Sequence, residues 1–184
     1  MGVTQEKVNK IQIDHGIVYL NYGETGETEL CPTRGGGNFV VTRNIRDIEY
    51  DGRQGKTKGT RVIDEENATL TVIVLDTAAD TLKLALPGAT LTLGKISNSD
   101  NGLIPAADYL ANVTMFAKTV EGKYKKITLY NAMADNGLSF AATPKAEGTI
   151  ELQFAAHWAV GGSQLYDIEE VNSITTTSSS SSQT

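Results

Sequence analysis

Cysteine occurs once in the 184 residues, and histidine twice and tryptophan once. A single thiol, Cys31, cannot close an internal disulfide, which fits a reducing compartment or indifference to redox. Two histidines and one cysteine, scattered along the chain, are too few for a typical zinc site. Cationic residues are outnumbered, 16 Lys and Arg against 22 Asp and Glu, giving a formal charge of −6. Such a chain lacks the basic footprint needed to grip phosphate backbones, although DNA could pass nearby without sticking. No run of about 18 apolar residues exists, so no membrane span is expected. Residues 1–14 carry no apolar core of the signal-peptide kind. Gly2 opens a myristoylation pattern, but Glu6 stands where Ser or Thr is needed.

What the chain does have is glycine, 18 residues of it, with many Thr and Asn and 40% hydrophobic content. This suits a mainly β protein of short strands and turns, with length for one domain and a sizeable core. We divide it into a polar N-terminal arm (1–10), a β domain (11–160) and a polar, Ser/Thr-rich C-terminal arm (161–184). The stretch TTTSSSSSQT at 175–184 has nothing to bury and is expected to be disordered without a partner surface.

Within the β domain, residues 11–14 and 17–22 read as a hairpin about Asp14-His15-Gly16. Leu30 to Thr33 reads as a short strand. Arg34-Gly35-Gly36-Gly37 lacks the Lys-Ser/Thr ending of a phosphate-binding loop and no helix follows it, so it reads as a flexible loop or hinge. Residues 38–51 read as two strands bent near Arg43-Asn44. A hairpin of 62–65 and 68–75, turning at Glu66-Asn67, follows. Leu70, Val72 and Val74 mark its buried face, while Thr69 and Thr71 start the other face, which turns apolar at Ile73 and Leu75. The remaining strands are 91–95, 109–120 and 124–133 (joined at Glu121-Gly122-Lys123), 138–143, and 149–158, where Ile150, Leu152, Phe154 and Ala156 oppose Glu151, Gln153 and Ala155.

One helix is expected, over residues 78–86. Thr77 is a suitable N-cap, and Asp80 suits the helix dipole in the first turn. Ala78, Leu82, Ala85 and Leu86 form an apolar stripe, before Pro87 and Gly88 end the helix. Nine residues are too few for an isolated helix, so Leu82, Ala85 and Leu86 are expected to pack it on a sheet.

Just before these elements, Arg53, Lys56, Lys58 and Arg61 gather between Gly52, Gly55 and Gly59. This positive patch on an acidic protein is either a solvated hairpin tip or a contact surface for an acidic partner face. No catalytic constellation can be assembled. His15 falls in a turn, His157 beside Trp158 has no identifiable nucleophile, and Cys31 has no activator. Asp64-Glu65-Glu66 lacks the spacing of a calcium loop. We therefore expect no enzyme and no cofactor.

Glu49-Tyr50-Asp51-Gly52 with Gly55, Lys58 and Gly59, then the hairpin and Leu82-Lys83-Leu84-Ala85-Leu86-Pro87-Gly88-Ala89, resembles the major tail tube protein of phages with long, non-contractile tails. Gly148 to Trp158 is similar to that family's last core strand. The chain departs from it after His157-Trp158, where Ala159-Val160-Gly161-Gly162 replaces an acidic, proline-containing segment. The resemblance implies a β-sandwich or barrel with one short flanking helix, in a virion tail assembled in the host cytoplasm. It implies homo-hexameric rings, joined sheet to sheet and stacked into a tube, with tape measure, tail terminator and tail tip proteins as further partners. The genome would pass through as transient, non-specific cargo, and loops and termini would bridge the rings. Six copies at −6 would carry a formal −36 per ring. Acidic groups facing the lumen would keep phosphates sliding, and Thr69, Thr71, Glu151 and Gln153 are candidates to line it. The tube of a related phage-like injection apparatus would fit the same residues. A carbohydrate-binding or adhesion module is the alternative from another class, but it calls for exposed aromatic platforms, and the aromatics here mostly fall in strand runs.

Overall fold

The computed structural model describes residues 3–13, 16–30, 32–52, 55–98, 102–140, 147–162 and 164–176. In chain order it contains α1 (Gln5–Asn9), β1 (Ile17–Leu20), β2 (Thr28–Glu29), β3 (Thr33–Asp47), β4 (Arg61–Val74), α2 (Ala79–Leu84), β5 (Thr90–Thr92) and β6 (Lys95–Ser97). A 3-10 turn at Ala106–Asp108 leads into β7 (Leu110–Lys118), β8 (Tyr124–Ala134), β9 (Ile150–Ala155) and β10 (Tyr166–Val171). The fold is mainly β, as composition and turn spacing predict. All the strand pairings are antiparallel, and the described residues form no closed barrel.

The main sheet runs β2-β1-β7-β8-β9-β4-β3, with β10 also on β8. Strand β8 belongs to both halves. Its residues Tyr124 to Leu129 pair with β7 on one edge and β10 on the other, and Met133 and Ala134 then pair with β9. The change of partner falls at Asn131, whose φ of 47° lies in the left-handed region that Asn tolerates better than most residues. Asn131 Nδ2 donates to the His157 carbonyl at 3.2 Å, and His157 Nδ1 lies 3.1 Å from the Asn131 carbonyl, closing the corner from both sides.

The halves fold over one another around a single core. Val18, Val113 and Leu129 come from one half, and Leu70, Val72, Val74, Ile150, Leu152 and Phe154 from the other. Gly37 shows how closely the layers approach, because a Cβ there would lie 2.5 Å from Met115 Sδ on β7. The reverse face of β7 and β8 is also covered. Tyr19, Tyr22 and Phe116 pack edge-on or tilted with centroids 5.0 to 5.9 Å apart. Beneath them the buried Thr114 hydroxyl donates to Asn112 Oδ1 at 3.1 Å and lies 3.2 Å from the Thr128 hydroxyl.

Several local expectations change. The tri-glycine run is no hinge but a bulge inside β3, where the register jumps between Arg34 and Gly37. Residues 62–65 and 68–75 are not a hairpin, because Glu66 and Asn67 continue β4 and pair with Arg43 and Thr42. The bend near Arg43-Asn44 is a register shift between Asn44 and Ile45 within one long strand. Residues 11–13 do not fold back on β1. They follow the same edge of β7, with Gln12 bridged to Thr119 and Ile17 opposite Phe116. Gly16 permits this line, since a Cβ there would lie 2.7 Å from Met115.

The 78–86 helix is shorter, Ala79–Leu84, and Asp76 rather than Thr77 holds its start. The Asp76 carboxylate accepts the Ala78 N–H at 2.9 Å and the Thr81 hydroxyl at 2.7 Å. These bonds hold its pKa below the usual value, the Thr81 bond contributing most. A second short helix, α1, lies in the segment read as an arm. The segment from 161 contributes β10. Residues 138–140 are not a strand, and 141–143 lie outside the described residues, as do Asp14, His15, Cys31, Arg53 and 177–184.

Candidate assembly surfaces

Strands β3 and β4 make a hairpin much longer than the core needs. At its root Phe39 opposes Leu70, and Val41 opposes Ala68. Leu70 is fully buried and Phe39 packs against the core. From Arg43 and Glu66 outward the two strands pair only with each other. Five further residue steps carry the ladder from Thr42 to Asp47, roughly 17 Å at about 3.3 Å per residue, before the tip at 48–60.

Side chains along this arm hold its shape. Arg43 Nη2 donates to Glu66 Oε1 at 2.8 Å, Arg46 Nε lies 3.0 Å from Asp64 Oδ2, and Arg61 Nε lies 3.2 Å from Asp47 Oδ1. The first pair also ties the arm to the other half of the fold. The Tyr166 hydroxyl on β10 donates to Glu66 Oε1 at 2.8 Å, and the Tyr166 ring meets Phe39 edge-on at 5.5 Å. The Arg43 hydrogen bond, followed by that of Tyr166, holds the Glu66 carboxyl below its ordinary range. Another β8–β10 link, from the Tyr130 hydroxyl to Asp167 at 2.9 Å, accompanies a tyrosine pKa pushed up to about 12, burial contributing most.

Between these ion pairs the arm exposes apolar groups. Ile45 and Ile63 face each other across the ladder and are 40% and 51% exposed. Ile48 and Tyr50 continue toward the tip, also exposed. Of the four cations singled out in the sequence, Arg61 is engaged by Asp47 and Arg53 lies outside the described residues. Lys56 and Lys58 are exposed and meet no acidic partner among the described residues.

Thr69, Thr71, Glu151 and Gln153 fall together on the outward face of the β4–β9 ladder. Thr71 opposes Gln153, Thr69 opposes Ala155, and Glu151 opposes Ile73. Asn136 braces the outer edge, donating to the Glu151 carbonyl at 3.2 Å and accepting the Gln153 N–H at 3.3 Å. In the helix region, Ala85 is fully buried, Leu82 and Leu84 pack against the core, and Leu86 is half-buried in the turn before Pro87. Among the described residues, β2, β3 and β10 each have a partner on one side only, leaving edges open for pairing.

His157 is spent on structure: its ring sits edge-on to Tyr109 at 5.1 Å, and its Nδ1 faces the Asn131 carbonyl. No group of three His, Cys, Asp or Glu able to hold a metal occurs among the described residues. The features that sequence reasoning missed are the exposed Ile45–Ile63 pair and the unbroken length of β4. Their signal was alternation through 61–74, masked by the acidic run at Asp64-Glu65-Glu66.

No protein-family model and no curated protein sequence matches the chain. Among solved structures it is similar to a chain in the virion of a native gene transfer agent particle. That chain is 13% identical with a TM-score of 0.44, over 78% of this chain and 92% of that one. It is similar also to a chain in the C6-symmetric tail of an empty gene transfer agent particle, 11% identical with a TM-score of 0.41, over 80% and 95% of the two chains.

Proposed function

We propose that the chain is a structural subunit of a phage-like tail tube. Six copies join open sheet edges into a ring, the β3–β4 arm bridges to a neighbouring ring or subunit, and DNA passes through the bore. The role is structural rather than catalytic, and the place of action is the virion tail or a related injection apparatus. The arm carries this reading. It is an ion-paired ladder that projects past the core and exposes Ile45, Ile63, Lys56 and Lys58. An exposed apolar strip on a projecting hairpin is what an interface leaves when its partner is removed. Edge-to-edge closure would also remove the unpaired edges of β2, β3 or β10. The polar strip of Thr69, Thr71, Gln153 and Glu151 is our candidate for the wall facing DNA, where uncharged and acidic groups would not trap phosphate.

Electron microscopy and sedimentation of the purified protein over a range of concentration and salt test this reading. Rings or filaments are expected from the wild type, and from Lys56→Glu/Lys58→Glu a folded protein that assembles poorly. A wild type that stays monomeric under every condition would overturn it, and a bore lined mainly by Lys and Arg would overturn the assignment of the wall.

A further inference from the structure

The arm's tip and the open groove beside α2 lie at opposite ends of one strand. Strand β4 begins at Arg61, just after the tip, and ends at Val74, two residues before Asp76 at the groove. Fourteen residues of strand separate them by roughly 45 Å, so a tip cannot reach its own groove. The groove has a volume of about 360 Å³. Leu20, Leu30 and Leu84 contribute its apolar surface, and Asp76 and Asp80 its acidic groups, whereas the Glu29 side chain turns to the other face of the sheet, where it hydrogen-bonds Tyr19. Both Asp76 oxygens are taken within the helix cap, by Ala78 and Thr81. Asp80 is exposed and has no ion pair among the described residues.

We infer that this groove receives the hairpin tip of a second copy of the chain, with Lys56 and Lys58 set against Asp80. The inference rests on the tube reading and supplies its missing acceptor. A lysine suits the groove in both its parts, an apolar stem for a leucine-lined floor and an ammonium for carboxylates at the rim. Glu49 and Asp51 occupy the incoming half of the tip, so the cationic half, after Gly55, is the half that docks. Gly55 and Gly59 hold φ values of 120° and 87° on either side of the two lysines and set the shape of this outgoing half. Donor and acceptor are different surfaces, so the contact is head-to-tail. Each added copy offers a fresh groove or a fresh tip, and the contact propagates along β4 rather than closing as a two-fold dimer.

The test is a charge exchange read by sedimentation and negative-stain microscopy. Asp76 is left intact because it starts the helix. Lys56→Glu/Lys58→Glu and Asp80→Lys should each raise the concentration needed for assembly by about tenfold or more, and a chain carrying all three changes should recover most of that loss. Wild-type assembly by Asp80→Lys, or a combined variant no better than its parents, would overturn the inference. A second arm does not need the tube. An isotope-labelled full chain, held below its assembly concentration, is titrated with a cyclised peptide of residues 48–60. Amide shifts at Asp80, Thr81 and Leu84, lost when the peptide carries Glu at both lysine positions, support the docking even if no tube forms. Their absence overturns it even if tubes do form.

Discussion

The root and the arm of the β3–β4 hairpin share one backbone ladder and differ in what lies against their side chains. At the root, Leu70, Val72 and Val74 are sealed by β9 and by the opposite layer. In the arm, Ile45 and Ile63 meet each other across the ladder and are otherwise open to solvent. Backbone pairing therefore extends the strands, but it does not decide which part of them stabilises the monomer. Burial decides that, and it stops near the Arg43–Glu66 pair. Beyond that point the sequence retains large apolar residues that a solvated hairpin does not require.

Three substitutions along this one ladder, and a fourth at Tyr166 on β10, test the contrast. Leu70→Ala removes a fully buried side chain and should cost about 2–5 kcal/mol in denaturant unfolding, because the core can close only part of the cavity. A loss below about 1 kcal/mol would mean that the two layers are loosely packed. At the boundary, the folded Glu66 pKa lies below its ordinary value of 4.5. The stability it contributes is therefore fully present above the unfolded pKa and is lost as pH falls through the folded one. Glu66→Gln should flatten the acid limb of stability against pH, and Tyr166→Phe should flatten it partly. An unchanged acid limb in Glu66→Gln would show that Arg43 and Tyr166 do not hold the folded carboxylate. Farthest out, Ile63→Ala should lower monomer stability by no more than about 1 kcal/mol, the span of strand propensity, while weakening assembly. A loss as large as that of Leu70→Ala would erase the distinction between root and arm.

Much of this was legible in the sequence where one residue's neighbours in the chain settle its environment. The buried faces of β4 and β9 follow from Leu70, Val72, Val74 and from Ile150, Leu152, Phe154 at alternate positions. The Glu121-Gly122-Lys123 turn places β7 beside β8. What escaped depended on partners distant in sequence. Glu66 and Asn67 have turn-like character alone and become strand only when opposed by Arg43 and Thr42. Gly37 looks like a hinge until Met115 is found where its side chain would be. Thr114 and Thr128 are polar residues of an outward face, and the aromatic layer that buries them comes partly from Tyr19 and Tyr22. For the candidate site, Lys56 and Lys58 could be read directly, because glycines and charge mark an exposed loop. The groove could not be read, since Leu20, Leu30 and Leu84 meet there from three separate segments.

The single run of β4 from the tip to the edge of α2 also has a mechanical side. A pull on the arm along its length enters the fold at Arg61 and travels toward Val74, with β3 on one flank and β9 on the other. Hydrogen bonds that lie across the direction of tension are loaded together, not opened one at a time from an end. The segment most exposed to pulling is thus continuous with the half of β4 whose Ala68, Leu70, Val72 and Val74 are sealed in the core, so a load on the tip is handed straight to the packed part of the fold.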